Sequence, residues 1–244
     1  MRYAILADIH SNLEAFQAVL ADIEHHDGVS EVWCLGDIVG YGPDPHECIE
    51  LLRQYQHISV AGNHDFAAIG KLDTLDFNPD AAYACQWTGT RLTPEDIEYL
   101  GNLPLKLIKD DFTLVHGSPR DPLWEYLVSP QSAEANFVSF ATRVLLVGHS
   151  HIPLAIWRDG SGEVFFRYPA PGKMAEPEKT PLILNPGSVG QPRNGDPRAS
   201  YATLDTGTGI VDNRRVPYDI QRTQGKMLKQ QLPLRLITRL SHGV

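Results

Sequence analysis

The stretch HISVAGNHD, residues 57–65, leaves an apolar, strand-like run at Gly62 and then sets Asn63, His64 and Asp65 side by side. Neighbouring side chains on an extended backbone point to opposite faces, so a strand alone cannot aim all three at one target. A turn that follows a strand can. Gly-Asn is also ordinary turn chemistry, in which the histidine would be incidental. The flanking segments decide between these readings, because an apolar run that ends in a polar cluster recurs along the chain.

Upstream, RYAILAD (2–8) reads as a buried strand ending in a carboxylate, and EVWCLGD (31–37) as a second ending in Gly-Asp. Between them, Ser11 and Glu14 have capping-box spacing ahead of the helical pattern LEAFQAVLADIEHH. DPHECIELLRQY (44–55), with Pro45 in its first turn, predicts a second helix. Strands alternating with helices imply right-handed βαβ units and a parallel sheet covered on both faces. Downstream, 66–105 reads as a helical insertion in which Thr93 and Pro94 start TPEDIEYLGNL. FTLVHGS (112–118) and TRVLLVGHSH (142–151) are strands ending in histidine, with a helical stretch around 130–140 between them. From 153 the pattern changes to short runs with turns: LAIWRD, EVFFRYPA, PLILNPGS, SYATLDT and GIVDNRRVPY. These predict an antiparallel or mixed second sheet. PAPGKMAEPEKTP (169–181) reads as a loop, and 218–230 and 232–242 as amphipathic helices. Residues 1–244 are expected to form one domain.

Composition narrows the function classes. Hydrophobic residues make up 42% and charged residues 21% of the 244, an ordinary globular balance. No apolar run approaches the roughly 20 residues that span a bilayer. The apolar part of MRYAILADIH is too short for a secretory leader, so a cytoplasmic setting is expected. Cys34, Cys48 and Cys85 are odd in number and unpaired in spacing, which indicates neither a disulfide framework nor a thiolate zinc site. The formal net charge of −9 argues against a protein that coats nucleic acid. It leaves a phosphorylated substrate open, provided that bound divalent metals supply positive charge at the site.

In α/β sheets, ligand sites gather beyond the carboxyl ends of the strands. Five predicted strands end here in Asp8-Ile9-His10, Gly36-Asp37, Gly62-Asn63-His64-Asp65, His116-Gly117 and Gly148-His149-Ser150-His151, all expected at one edge. Imidazoles and carboxylates suit Mn, Fe, Zn or Ni. Two ions roughly 3.5–4 Å apart can activate a bridging water and clamp the attacking and leaving oxygens of a phosphoryl group. Asp37, alone on a central strand, is the natural carboxylate to bridge them.

In this order the blocks D-x-H, G-D, G-N-H-D, H and G-H-x-H resemble the calcineurin-like metallophosphoesterase family, over residues 8–151. NPGSVGQPR (185–193) is similar to its small bacterial and archaeal phosphodiesterase branch. The resemblance implies an α/β fold, a four-layer sandwich of two facing mixed sheets flanked by helices. It also implies two divalent metal ions per chain, Mn²⁺ first, with Fe, Zn, Ni or Mg as alternatives. Asp8, His10 and His151 would hold one ion, Asn63, His116 and His149 the other, and Asp37 would bridge them. His64 would be the general acid, and the reaction would be phosphate-ester hydrolysis by a hydroxide that bridges the ions.

One departure is informative. The family's protein phosphatases read G-D-x-V-D-R-G in the second block, whereas this chain has GDIVGYG, with Gly40 and Tyr41 in place of an Asp that orients the catalytic His and an Arg that grips phosphate. Asp65 stands where those enzymes have Glu. Small phosphodiesters or nucleotide-type substrates are therefore expected, with a phosphomonoesterase or protein phosphatase as the alternative. A non-catalytic scaffold of the same fold is a further one, which a retained His64 argues against. Arg120 and Arg193 are candidates to grip phosphate. Asn185 and Ser188 are expected to shape the cleft wall, Trp124 and Tyr126 to pack, and His25, His26, His46, His57 and His242 to be surface or cap residues. A small phosphorylated substrate is the expected partner, without a membrane or a stable nucleic-acid complex; homo-oligomerisation stays open.

Overall fold

Successive side chains of strand β1 (Arg2–Leu6), buried from Tyr3 on, alternate between two cores and set the layering. Tyr3, Ile5 and, just beyond, Ala7 join a core between two sheets, while Ala4 and Leu6 join one beneath helices. Both faces of the strand are covered, so its apolar run is nearly continuous, as parallel-sheet strands are. The computed structural model describes residues 1–26, 28–175 and 180–244.

The first sheet has the order β3 (His57–Ser59), β2 (Glu31–Cys34), β1, β11 (Ala199–Asp205), β12 (Ile210–Val216) and β9 (Gly172–Ala175). The second runs β4 (Lys106–Lys109), β5 (Phe112–Val115), β6 (Val144–Leu146), β10 (Leu182–Asn185), β7 (Leu154–Arg158) and β8 (Val164–Arg167). β1, β2 and β3 are parallel, as are β5, β6 and β10; the other pairings are antiparallel. Between the sheets Trp33 stacks on Tyr3 at 4.1 Å and meets Phe112 of the opposite sheet edge-on at 5.1 Å. Helices α1 (Leu13–His25) and α2 (Pro45–Arg53) cover the first sheet, and α6 (Pro130–Asn136) the second. This is the four-layer α/β sandwich that the resemblance implies.

The insertion comprises α3 (Asn63–Ala68), α4 (Pro79–Gly89) and α5 (Pro94–Gly101), the last capped by Thr93 as expected. The C-terminal α7 (Ile220–Lys229) and α8 (Leu234–Arg239) pack against α4 and Tyr41 through Met227, Leu236 and Leu240.

Four expectations are corrected. The five strand ends do not share one sheet edge: three belong to the first sheet and two to the second, and they meet across the sandwich. Strands after 153 divide between both sheets instead of forming the second alone, because a run buried on both faces reads the same in either. The cap of α1 is Asn12, whose side chain accepts from Ala15 N at 3.2 Å, while Ser11 is drawn into the strand-end turn by its N–H bond to Ile38 O. Within the 169–181 loop, 172–175 pair with β12 as an edge strand, and 176–179 lie outside the described residues. β4 had no counterpart in the sequence reading.

Candidate metal centre

Five of the seven predicted ligands lie where the chain turns through left-handed backbone: Asp8, His10, Asp37, His149 and His151 have φ of 55°, 50°, 54°, 64° and 59°. Such a conformation costs a non-glycine residue on the order of 1–3 kcal/mol and persists only where the surroundings enforce it. Here the turns lock one another: Asp8 N donates to Gly36 O, His10 N to Asp37 O and Gly148 N to His116 O, at 2.8–3.0 Å. Asn185 Nδ2 donates to Gly148 O at 2.6 Å and Ser188 Oγ to Asp8 O at 2.9 Å, so these two brace the wall as expected.

Asp65 performs the same service between β2 and α3. Its carboxylate accepts from Asp37 N, Val39 N and Gly62 N at 2.8–3.0 Å. A Cβ at Gly62 would stand 2.0 Å from Asp37 Oδ1, so only glycine lets α3 begin there. Because α3 starts at Asn63, three residues before the predicted insertion, Asn63 and His64 occupy its first turn.

Two clusters result. Asp8, His10, Asp37 and His151 form one, and Asp37, His116 and His149 the other, with all potential ligand atoms of each within 4.8 Å. His10 Nε2 lies 3.1 Å from His151 Nε2 and 3.5 Å from Asp37 Oδ2, and His151 Nε2 3.3 Å from Asp8 Oδ1. In the second cluster His116 Nε2 is 3.1 Å from Asn63 Oδ1, 3.1 Å from His149 Nδ1 and 3.3 Å from Asp37 Oδ2. Ligands bonded to one ion at about 2.1 Å lie about 3.0–3.4 Å apart in octahedral or tetrahedral geometry. The spacing fits.

Proton placement fits too. His10, His116 and His151 turn Nδ1 to the backbone carbonyls of Val39, Leu35 and Gln191 at 3.2, 2.8 and 2.6 Å. A ring that donates there presents its Nε2 lone pair inward, as ligating histidines do. Two such lone pairs facing at 3.1 Å repel unless a cation lies between them. Burial pushes the His10 and His151 pKa values well down and that of His149 to about 3, favouring neutral imidazoles. His116, although burial opposes it, is instead raised to about 9 by Asp37, whose charge a bound cation would balance. Burial also opposes ionisation of Asp8, raising it to about 8 despite nearby His116. Asp8 Oδ2 has no hydrogen-bond partner among the described residues, though it is fully buried. A divalent cation would relieve each of these unfavourable features.

The centre opens into a cleft lined by His64, Tyr41, Phe77, Trp124, Tyr126 and Arg193, among others. Arg193 donates through Nη2 to Gln191 Oε1 at 2.9 Å and to Tyr41 OH at 3.4 Å, so its guanidinium borders the metal ligands. Arg120 does not reach the cleft; it is half exposed and pairs with Glu125 at 3.5 Å. Tyr126 does pack, stacked on His149 at 4.1 Å, yet both it and Trp124 also face the cleft. His64 is held by its backbone N–H to Asp37 Oδ1 at 2.9 Å, and its Nδ1 lies 3.1 Å from Cys85 Sγ on α4.

Sequence reasoning missed Phe77, Gln191, Cys85 and the bracing role of Asp65. Small residues at 81, 84 and 85 mark a buried stripe on α4, but nothing in that stripe names its partner.

Residues 1–209 match the model of the calcineurin-like phosphoesterase superfamily domain. The chain belongs to this family. It is therefore a phosphoric ester hydrolase of a metal-dependent kind. An uncharacterized protein of Methanocaldococcus jannaschii is 40% identical over 98% of this chain and 97% of its own. The crystal structure of a metallophosphoesterase from Sphaerobacter thermophilus superposes with a TM-score of 0.90 at 46% identity, covering 100% of both chains. A symmetrical bis(5'-nucleosyl)-tetraphosphatase of Erwinia tasmaniensis is 28% identical over 46% of this chain and 41% of its own. Among the described residues no helix is long and apolar enough to cross a membrane.

Proposed function

We propose that this chain hydrolyses small phosphodiesters or nucleotide-type phosphate esters at a centre for two divalent ions. The observation that carries the reading is Asp37, whose carboxylate belongs to both clusters. Asp8, His10 and His151 would hold one ion and Asn63, His116 and His149 the other. Bound ions would supply positive charge and an activated water for attack on phosphorus. Nitrogen and oxygen donors without thiolate favour Mn, Fe, Zn or Ni over softer metals, Mn²⁺ being the first to test.

The chain's own residues would do the rest. Asp37 Oδ1 anchors the backbone of His64, which places that ring on the cleft wall for the leaving oxygen. Arg193 contributes one guanidinium, while Tyr41 contributes no charge and Gly40 no side chain. A monoester dianion is best held by a full arginine fork; a diester carries one charge less and needs space for a second substituent. The partial match to the Erwinia tetraphosphatase supports a nucleotide in that space.

The test pairs substrates with a variant. In Mn²⁺ the protein should turn over a bis-aryl phosphate and dinucleoside polyphosphates with higher kcat/KM than phosphoserine peptides. His64→Ala should cut turnover about 10²–10⁴-fold on esters with alkoxide leaving groups, less on p-nitrophenyl esters, with metal content unchanged. Faster hydrolysis of phosphopeptides would overturn the substrate assignment. An equal loss for good and poor leaving groups would overturn the role of His64.

A further inference from the structure

A neutral histidine that steadies a leaving oxygen by donating a hydrogen bond works through one ring nitrogen, and something must hold the ring's hydrogen on that nitrogen. The usual means is a group that satisfies the other nitrogen. Around His64 the obvious groups are committed elsewhere or absent. Asp65, next in sequence, spends its carboxylate on three backbone N–H groups. Asp37 Oδ1 takes the backbone N–H of His64, not its ring. Position 40 is glycine at φ 101°, and a Cβ there would stand 2.7 Å from His64 Nδ1. The side chain that meets Nδ1 is Cys85, with Sγ at 3.1 Å.

We infer that Cys85 is the positioning residue of His64: its S–H donates to Nδ1, so the ring keeps its hydrogen on Nε2, the nitrogen left for the cleft. This rests on the reading of His64 as the donor to the leaving oxygen. Burial pushes the Cys85 thiol pKa up, with Asp37 adding to the shift, so sulfur keeps the hydrogen it donates. A thiol is a weak donor and a poor acceptor, which suits it to this one-way contact. The fold also fixes where the sulfur goes. Asn78 caps α4 by accepting from Ala81 N at 3.0 Å, and Ala81, Ala84 and Cys85 form the buried face. The ring in turn is held by Tyr41 at 4.3 Å and by Phe77 edge-on at 5.0 Å. His64 can therefore rotate little, and the thiol selects which tautomer the fixed ring adopts.

The experiment reads the tautomer directly, through long-range ¹H–¹⁵N correlations of the His64 ring in zinc-loaded full-length protein. The wild type should show hydrogen on Nε2. Cys85→Ala should show a mixture, with kcat lowered about 3- to 10-fold on a diester with an alkoxide leaving group, the scale of one modest hydrogen bond. The loss should be smaller on the p-nitrophenyl diester, and bound zinc should be unchanged. Cys85→Ser, whose hydroxyl is a better donor, should restore both tautomer and rate. Hydrogen on Nδ1 in the wild type, or an Ala variant with unaltered tautomer and rate, would overturn the assignment. So would a serine variant that folds and fails to restore either. A wild type that hydrolyses no phosphate ester in any metal would sink the catalytic reading instead, while the tautomer would still decide the role of Cys85.

Discussion

The metal-ligand end of the site and its rim are built by different means. Ligands come from strand ends, where register fixes position: Asp8 N bonds Gly36 O and Gly148 N bonds His116 O, so a residue's place in its strand determines where it arrives. The rim is assembled from α3, α4, the segment after β5 and the stretch after β10, brought together by helix packing. Five of the seven predicted ligands are held in costly left-handed turns that neighbouring turns enforce. Rim residues other than Tyr41, at φ 46°, sit in ordinary conformations and depend on apolar contacts. The former should therefore tolerate substitution least, and the latter should adjust the reaction without abolishing it.

Asp37 gives the largest expected effect and tests the first half of that comparison. Asp37→Asn keeps the shape but removes a charge shared by both clusters and weakens the anchor of His64. Activity should fall by at least the ~10⁴ that marks the upper range for a general acid, since both metal binding and positioning suffer. Elemental analysis should find at least one ion lost from the two expected. Retention of both ions would remove Asp37 from the bridging place.

Asp65 sits at the junction of the two regions, and Asp65→Ala asks whether the turns hold without it. The variant would orphan three buried backbone N–H groups, those of Asp37, Val39 and Gly62. A buried donor left unpaired costs about 1–3 kcal/mol, so a loss of about 3 kcal/mol or more in chemical unfolding is expected. Metal affinity should fall about 10- to 100-fold, the usual effect of removing a group that orients ligands. A stable variant with weakened metal binding would show that the turns are held by the ion more than by Asp65.

The same contrast explains what could be read from sequence. Asp8, His10, Asp37, Asn63, His116, His149 and His151 were legible because each follows a short apolar run whose end fixes its place in the sheet. Which sheet was not legible: VWC and TLV are equally buried, and burial on both faces carries no label of the partner strand. β9 was hidden because an edge strand beside charged loop residues has little apolar signature. Cys85 was hidden for a deeper reason. Its role exists only where α4 crosses α3, a long-range contact that helical periodicity does not encode.

The smallest expected effect concerns how the helical insertion is tied to the sandwich. His46 on α2 places Nδ1 2.9 Å from Asp96 Oδ2 on α5, and that carboxylate also accepts from Thr93 N within the cap. The Asp96 contact raises the His46 pKa above its ordinary 6.5, with Glu47 and Glu50 adding to the shift. A raised histidine pKa means that folding favours the protonated ring. The contribution is thus complete below about pH 6.5 and is lost as pH rises through the higher folded value. His46 is 43% exposed, so water and salt screen the pair and leave a few tenths of a kcal/mol. In a chain of this size that corresponds to about 1 °C in Tm. His46→Gln should melt about 1 °C below the wild type at pH 5.5 and level with it at pH 9, in low salt, while kcat on any ester stays unchanged. A constant Tm difference across that range would show that the contact is neutral hydrogen bonding. A change in kcat would show that the far side of the insertion reaches the site through α4, and the rim would then be as position-sensitive as the strand ends.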